Sequence, residues 1–236
     1  GSKDNIEQMS LNTRQLGFVQ SDVMSYAYEG TNLFEGAPVT DFSTVAALYM
    51  EQVQIVTCDP DIKTVADLKG KTVVGPKGTV LHQLLVAALK KEGMTIKDVD
   101  FISMDPAKAM TAVLSGSADA GLVAAGLIIK ANAEGAKTIT TCEGLVEPNL
   151  VMAVRQAFVD QYPEAYERVV ATNRAALKWI REHKAEALAM GAKEQGISIE
   201  NAEKLYEWSG FYDVLTETDV KGLAADQQFL IDNGMM

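Results

Sequence analysis

The stretch Lys77-Gly78-Thr79-Val80-Leu81 has the residue types and order best suited to capturing a small molecule. A helix is predicted to start at Thr79. Its first-turn amides have no partner within the helix, and their summed dipole attracts a carboxylate or sulfonate. Gly78 lets a ligand approach the backbone closely, Thr79 adds a hydroxyl and an amide, and Lys77 brings a positive charge. An ordinary strand-to-helix loop capped by Thr79 would use the same residues. Val123-Ala124-Ala125-Gly126 is a second such junction, where small side chains leave room for a ligand or for tight helix packing. Gln20-Ser21-Asp22 is a third, and its Ser21 and Asp22 could cap a helix and do nothing more.

Catalysis has no comparable support. There are two histidines, and neither His82 nor His183 has a cysteine, histidine or carboxylate at metal-ligand spacing. His183 sits in Arg181-Glu182-His183-Lys184, which reads as a solvated helix face. No Gly-x-Ser-x-Gly elbow is present, and Gly75-Pro76-Lys77-Gly78-Thr79 is too short for a phosphate-binding P-loop. The sequence calls for no cofactor and no metal. No arginine lies between Arg14 and Arg155, so bidentate anion recognition is unavailable over that whole stretch. An anion held there would depend on backbone amides, hydroxyls and Lys77.

The bulk numbers fit a protein of two lobes: 236 residues, 47% hydrophobic and 22% charged. A net charge of −11 argues against nucleic-acid and membrane-surface partners. No apolar run approaches the ~20 residues that span a bilayer. Cys58 and Cys142 read either as a buried pair of free thiols or as one disulfide of an oxidising compartment.

The elements that must position these junctions follow from the pattern. Strands are expected at 15–20, 45–49 and 53–57, with a helix from Ser21 to Tyr28 and a loop over 30–41. From Lys63 onward strands and helices alternate. The strands fall at 71–74, 99–103, 120–123 and 138–141; helices fall at 79–92, 106–115 and 126–134, with a helical turn at 64–68. Such alternation implies βαβ units and mainly parallel sheets flanked by helices. A strand over 147–155 leads into a helical C-terminal region, with helices at 159–183, 184–195, 199–209 and 217–233.

Several motifs carry a family resemblance. Leu16-Gly17-Phe18-Val19-Gln20-Ser21-Asp22-Val23, Tyr26-Ala27-Tyr28-Glu29-Gly30-Thr31 and Phe34-Glu35-Gly36 resemble the TAXI solute receptors of TRAP transporters. Gly1-Ser2-Lys3-Asp4-Asn5 is similar to that family's Gly-Ser-x-x-Asn turn. Val65-Ala66-Asp67-Leu68-Lys69-Gly70-Lys71-Thr72-Val73 and Pro76-Lys77-Gly78-Thr79 resemble the nitrate, taurine and aliphatic-sulfonate receptors of ABC transporters. Ser115-Gly116-Ser117-Ala118-Asp119-Ala120 and the Tyr162-Pro163 helix start resemble both. All are type II periplasmic solute-binding proteins, and the resemblance covers nearly the whole chain.

The resemblance implies a bilobal periplasmic-binding-protein-like α/β fold, with residues 1–58 and 148–236 in lobe one and 59–147 in lobe two. It implies an extracytoplasmic protein, periplasmic or extracellular, that holds a small anionic or zwitterionic ligand between its lobes, closes by hinge motion and delivers it to membrane transporter subunits. The ligand contacts it implies are Gln20, Ser21, Asp22, Tyr49, Lys77, Gly78, Thr79, Val80, Ala124, Ala125 and Asn149. Ser2 and Asn5 are carried over more weakly, and Trp208 could wall a pocket or pack in the core. Family members begin with a strand–helix–strand unit that has no counterpart here. Lobe one is therefore expected to expose two rows of unpaired backbone groups and to favour a homo-oligomer. A ligand-sensing domain of the same fold is the alternative, as is an enzyme like the pyrimidine-precursor synthases that share it. The latter would need a reactive histidine and a metal-linked cysteine cluster, and this chain has two cysteines far apart in sequence.

Overall fold

The structure is a computed structural model that describes residues 2–211, 228 and 231. The helix expected at 217–233 lies outside the described residues except for those last two. By its internal contacts the chain divides into two units, Gly1–Met50 with Asn149–Met236, and Glu51–Pro148.

The first unit opens with helix α1 (Ser2–Ser10), where the resemblance suggested a turn. Ile6 and Met9 are three residues apart and fully buried, which gives α1 one apolar face to set against strand β1 (Leu16–Gln20). α2 (Ser21–Glu29) follows β1 directly and ends at Gly30, whose φ of 67° is the left-handed value that closes helices. β2 (Phe42–Met50) is longer than the 45–49 core expected.

In the second unit the predicted alternation is found to within one residue at each end. It runs β3 (Val53–Thr57), β4 (Thr72–Gly75), α3 (Val80–Lys91), β5 (Asp100–Ser103), α4 (Pro106–Leu114), β6 (Ala120–Ala124), α5 (Gly126–Ala133) and β7 (Lys137–Thr141). β8 (Asn149–Arg155) then returns to the first unit. β3 belongs to the second sheet, so the first crossover falls at residues 50–51, not at 58–59.

The second sheet has the order β5-β4-β6-β3-β7, and the first has the order β1-β8-β2. β4 pairs in parallel with β5 and β6, as expected of strands joined through α3 and α4. β3 is antiparallel to both β6 and β7, so four of the five strands share one direction. The first sheet departs from the parallel expectation, because β8 lies antiparallel between β1 and β2. In each sheet the reversed strand, β3 or β8, is the one that brings the chain in from the other unit. It enters at the edge where the other strands end, and so it must run against them.

The first sheet has no interior gap: β8 is paired along both sides. The outer edge of β1 is partly satisfied by α1. Asn5 Nδ2 donates to the Phe18 carbonyl at 2.8 Å, and Ser2 Oγ accepts the Gln20 amide at 3.1 Å. The outer edge of β2 pairs with no other strand among the described residues.

All five residues of β3 are buried, as a strand covered on both faces requires. Val74, Ala109, Val113 and Ala118 pack α4 onto the sheet, and Ala46, Leu48 and Met152 form a core of the first unit. The expected helix at 159–183 is two helices, α6 (Gln156–Gln161) and α7 (Pro163–Glu182). Pro163 has no amide to donate backwards and pushes Tyr162 out of helical geometry, to φ −132° and ψ 58°; it then serves as the first residue of α7. α8 (Lys184–Gln195) and α9 (Ile199–Ser209) follow as expected.

Candidate functional site

In the second unit β4, β5 and β6 point the same way, so α3, α4 and α5 all start along one edge of the sheet. Gly75 ends β4 against Leu122 of β6. A Cβ there would lie 2.6 Å from that of Leu122, so glycine lets the two strands run this close. Because β4 and β6 pair in parallel, the loop after Gly75 and the Ala124–Ala125 junction leave from the same edge of the sheet.

Three hydrogen bonds fix the loop. The Lys77 amide donates to Ser103 Oγ at the end of β5 (3.2 Å), and the buried Gly78 amide donates to His82 Nδ1 (3.3 Å). Gly78 has φ 71°, which favours glycine, and the Thr79 hydroxyl donates to the Pro76 carbonyl (3.1 Å). Thr79 occupies the N-cap position, but its side chain does not cap. Its hydroxyl is turned back into the loop, and only its carbonyl enters the helix, accepting from Gln83 at 3.0 Å. The first-turn amides of α3 are thereby left without a side-chain acceptor.

α5 also begins without a side-chain cap, because alanine has nothing to cap with. Ala125 is held at φ 46° and ψ −123°, a conformation rarely adopted with a side chain, and its amide donates to the Gln52 carbonyl at 2.9 Å. α4 differs: Asp105 accepts from the Ala107 amide at 2.9 Å and fills that start with its own carboxylate. Of the three helix starts on this edge, those of α3 and α5 have no side-chain cap.

In the first unit β1 and β2 end, and β8 begins, at one edge. Gln20 and Tyr49 both pair with Leu150, and Met50 pairs with Asn149. Gln20, Ser21, Asp22, Tyr49 and Asn149 are thus gathered there. Ser21, Asp22 and Asn149 are buried, and Asp22 Oδ1 accepts from the Val23 amide at 2.8 Å. The Tyr49 ring is tilted against Phe211 at 5.7 Å. Ser2 and Asn5 are engaged with β1, and Trp208 is half-buried on α9.

The sequence reading assigned no role to His82. It is 7% exposed and stacked on Phe101 of β5, with centroids 4.8 Å apart and planes 10° from parallel. Burial, followed by the charge of Lys77, lowers its pKa to about 4, so the ring is neutral at ordinary pH. A signal was present: His82 is the third residue of α3, the position from which a capping-box side chain reaches back to the amides before the helix. His183 is exposed and stacks on Trp179. Both cysteines are free. Cys142 is buried, its thiol pKa raised by desolvation, but Cys58 is exposed, which corrects the expectation of a buried pair. No three metal-ligating side chains come together among the described residues, and no helix among them is long and apolar enough to cross a membrane.

A profile of the NMT1-like family matches residues 1–146. The chain belongs to the NMT1-like family. This NMT1-like chain is 34% identical over 122 residues to a Brucella abortus (strain 2308) protein named as a candidate binding protein, an alignment covering 49% of this chain. It is 41% identical over 69 residues, 29% of its length, to a candidate aliphatic sulfonates-binding protein of Escherichia coli (strain K12). The alignments span 38% and 22% of those relatives' lengths. Among solved structures, the periplasmic aliphatic sulphonate binding protein SsuA from Escherichia coli superposes with a TM-score of 0.81 at 19% identity, covering all of this chain and 80% of that one. The desulfurization enzyme DSZB shares the fold as well, with a TM-score of 0.72 at 16% identity over 94% of this chain and 80% of its own. These likenesses establish an α/β periplasmic-binding-protein fold.

Proposed function

We propose that this protein is an extracytoplasmic solute-binding protein that holds a small organic anion, a sulfonate or carboxylate, without transforming it. The observation that carries the reading is the pair of uncapped helix starts, α3 and α5, side by side on one sheet edge. The seat consists of the Thr79, Val80 and Leu81 amides at α3 and the Gly126 and Leu127 amides at α5, with Lys77 close by. Backbone amides suit a binder: they offer hydrogen bonds and partial positive charge but no group to attack or protonate the guest.

Membership of the NMT1-like family supports solute binding, and the sulfonate-binding relatives support a sulfonate guest. They also favour delivery to an ABC-type importer over a TRAP transporter. A thermal-shift screen of alkanesulfonates, taurine and short carboxylates tests the reading. Ligand at a hundredfold excess over its dissociation constant adds about 2.7 kcal/mol to folding stability, so one class should raise the melting temperature by several degrees. A flat response across all three classes would sink it.

A further inference from the structure

We infer that His82 is a positioning residue whose neutral ring orients the Gly78 peptide and so decides which amides form the anion seat. As far as the anion is concerned, this rests on the function proposed above; the orientation itself does not. Nδ1 can accept the Gly78 amide only when unprotonated, so the ring proton sits on Nε2. Nε2 is buried with no partner, an arrangement that opposes folding. Phenylalanine would keep the stacking on Phe101 and avoid the stranded donor. What it could not supply is an acceptor for Gly78, and that acceptor is what histidine contributes here.

The consequence for the seat follows from the other two loop contacts. The Lys77 amide is committed to Ser103 and the Gly78 amide to His82, so each already has an acceptor within the protein. Only the amides from Thr79 onward are left to meet a guest at α3. An aspartate in place of His82 would also accept the Gly78 amide, but it would set a negative charge beside the anion. A neutral acceptor avoids this, and burial together with the charge of Lys77 keeps the ring neutral.

The test compares the full chain with His82→Phe, which keeps a flat ring, and His82→Asn, whose Oδ1 takes the place of Nδ1. Nitrogen-15 spectra of the wild type should show the proton on Nε2, and the Gly78 amide should exchange slowly. In His82→Phe, with an unchanged far-UV spectrum, Gly78 exchange should quicken about tenfold and the dissociation constant for butanesulfonate should rise about tenfold, with His82→Asn recovering most of both. A proton on Nδ1, or Gly78 exchange unmoved in His82→Phe, overturns the inference. Equal butanesulfonate affinity in wild type and His82→Phe also overturns it. If His82→Phe does not fold, the wild-type tautomer and Gly78 exchange decide alone. If wild type ignores butanesulfonate while Nδ1 accepts from Gly78, the sulfonate reading falls and the positioning role stands.

Discussion

α2 and α3 both begin just after a strand, and neither has a side-chain cap, yet the two starts carry opposite charge. At α2 the carboxylate of Asp22, 3% exposed, already lies against the positive end of the helix. At α3 there is no acid in the first turn, the Thr79 hydroxyl is turned away, and Lys77 precedes the helix. An anion would meet no side-chain carboxylate in the first turn of α3 and would be repelled at α2. Similar strand-to-helix junctions therefore play different parts, and the sign of one side chain separates them.

Reversing that sign is the strongest way to break the contrast. Thr79→Asp would give α3 its own carboxylate, as α2 has. Affinity for butanesulfonate should fall a hundredfold or more, about 3 kcal/mol, while the melting temperature holds or rises because aspartate caps well. Calorimetric titration reads the outcome, and retained affinity would show that the anion sits elsewhere.

Lowering the pH probes the same junction through its histidine. The folded ring resists protonation down to about pH 4, whereas an unfolded histidine titrates near 6.5. Between those values the unfolded chain binds more protons, so stability falls as pH is lowered through the window, by about 3 kcal/mol in all. Denaturant unfolding of wild type against His82→Asn isolates this loss, which should be missing from the variant.

Two smaller effects sharpen the account of how α3 and α5 are brought together. Gly75→Ala would press a methyl group into Leu122 and should cost about 1–3 kcal/mol in urea unfolding. Ala125→Gly would relieve the backbone held at φ 46° and should stabilise by about 1 kcal/mol, net of the extra freedom of the unfolded chain. Finally, a thiol reagent should label Cys58 at once and Cys142 only on unfolding, since the latter is buried with a raised pKa.

Much of this was legible from residue order. The alternation between residues 64 and 141, and Gly78 and Thr79 at the start of α3, came from local pattern. Other features were not legible, for physical reasons. α1 was missed because Ile6 and Met9 make a short apolar face whose meaning depends on β1 lying beneath it. Thr79 was a sound cap by type, but Pro76 O competes for its hydroxyl at a distance set by the loop. His82 looked incidental because its partners, Gly78 and Phe101, meet only around the start of a folded helix.

The sequence by itself determined where the helices and strands of the second unit fall, that the chain carries no recognisable catalytic motif, and which junctions could present amides. These depend on periodicity and on residues a few positions apart. Tertiary structure alone decided that β3 and β8 run against their neighbours, that the starts of α3, α4 and α5 fall along one sheet edge, and that Phe101 of β5 stacks on His82. Each of these turns on partners brought together by the path of the chain, and no short-range preference encodes that path.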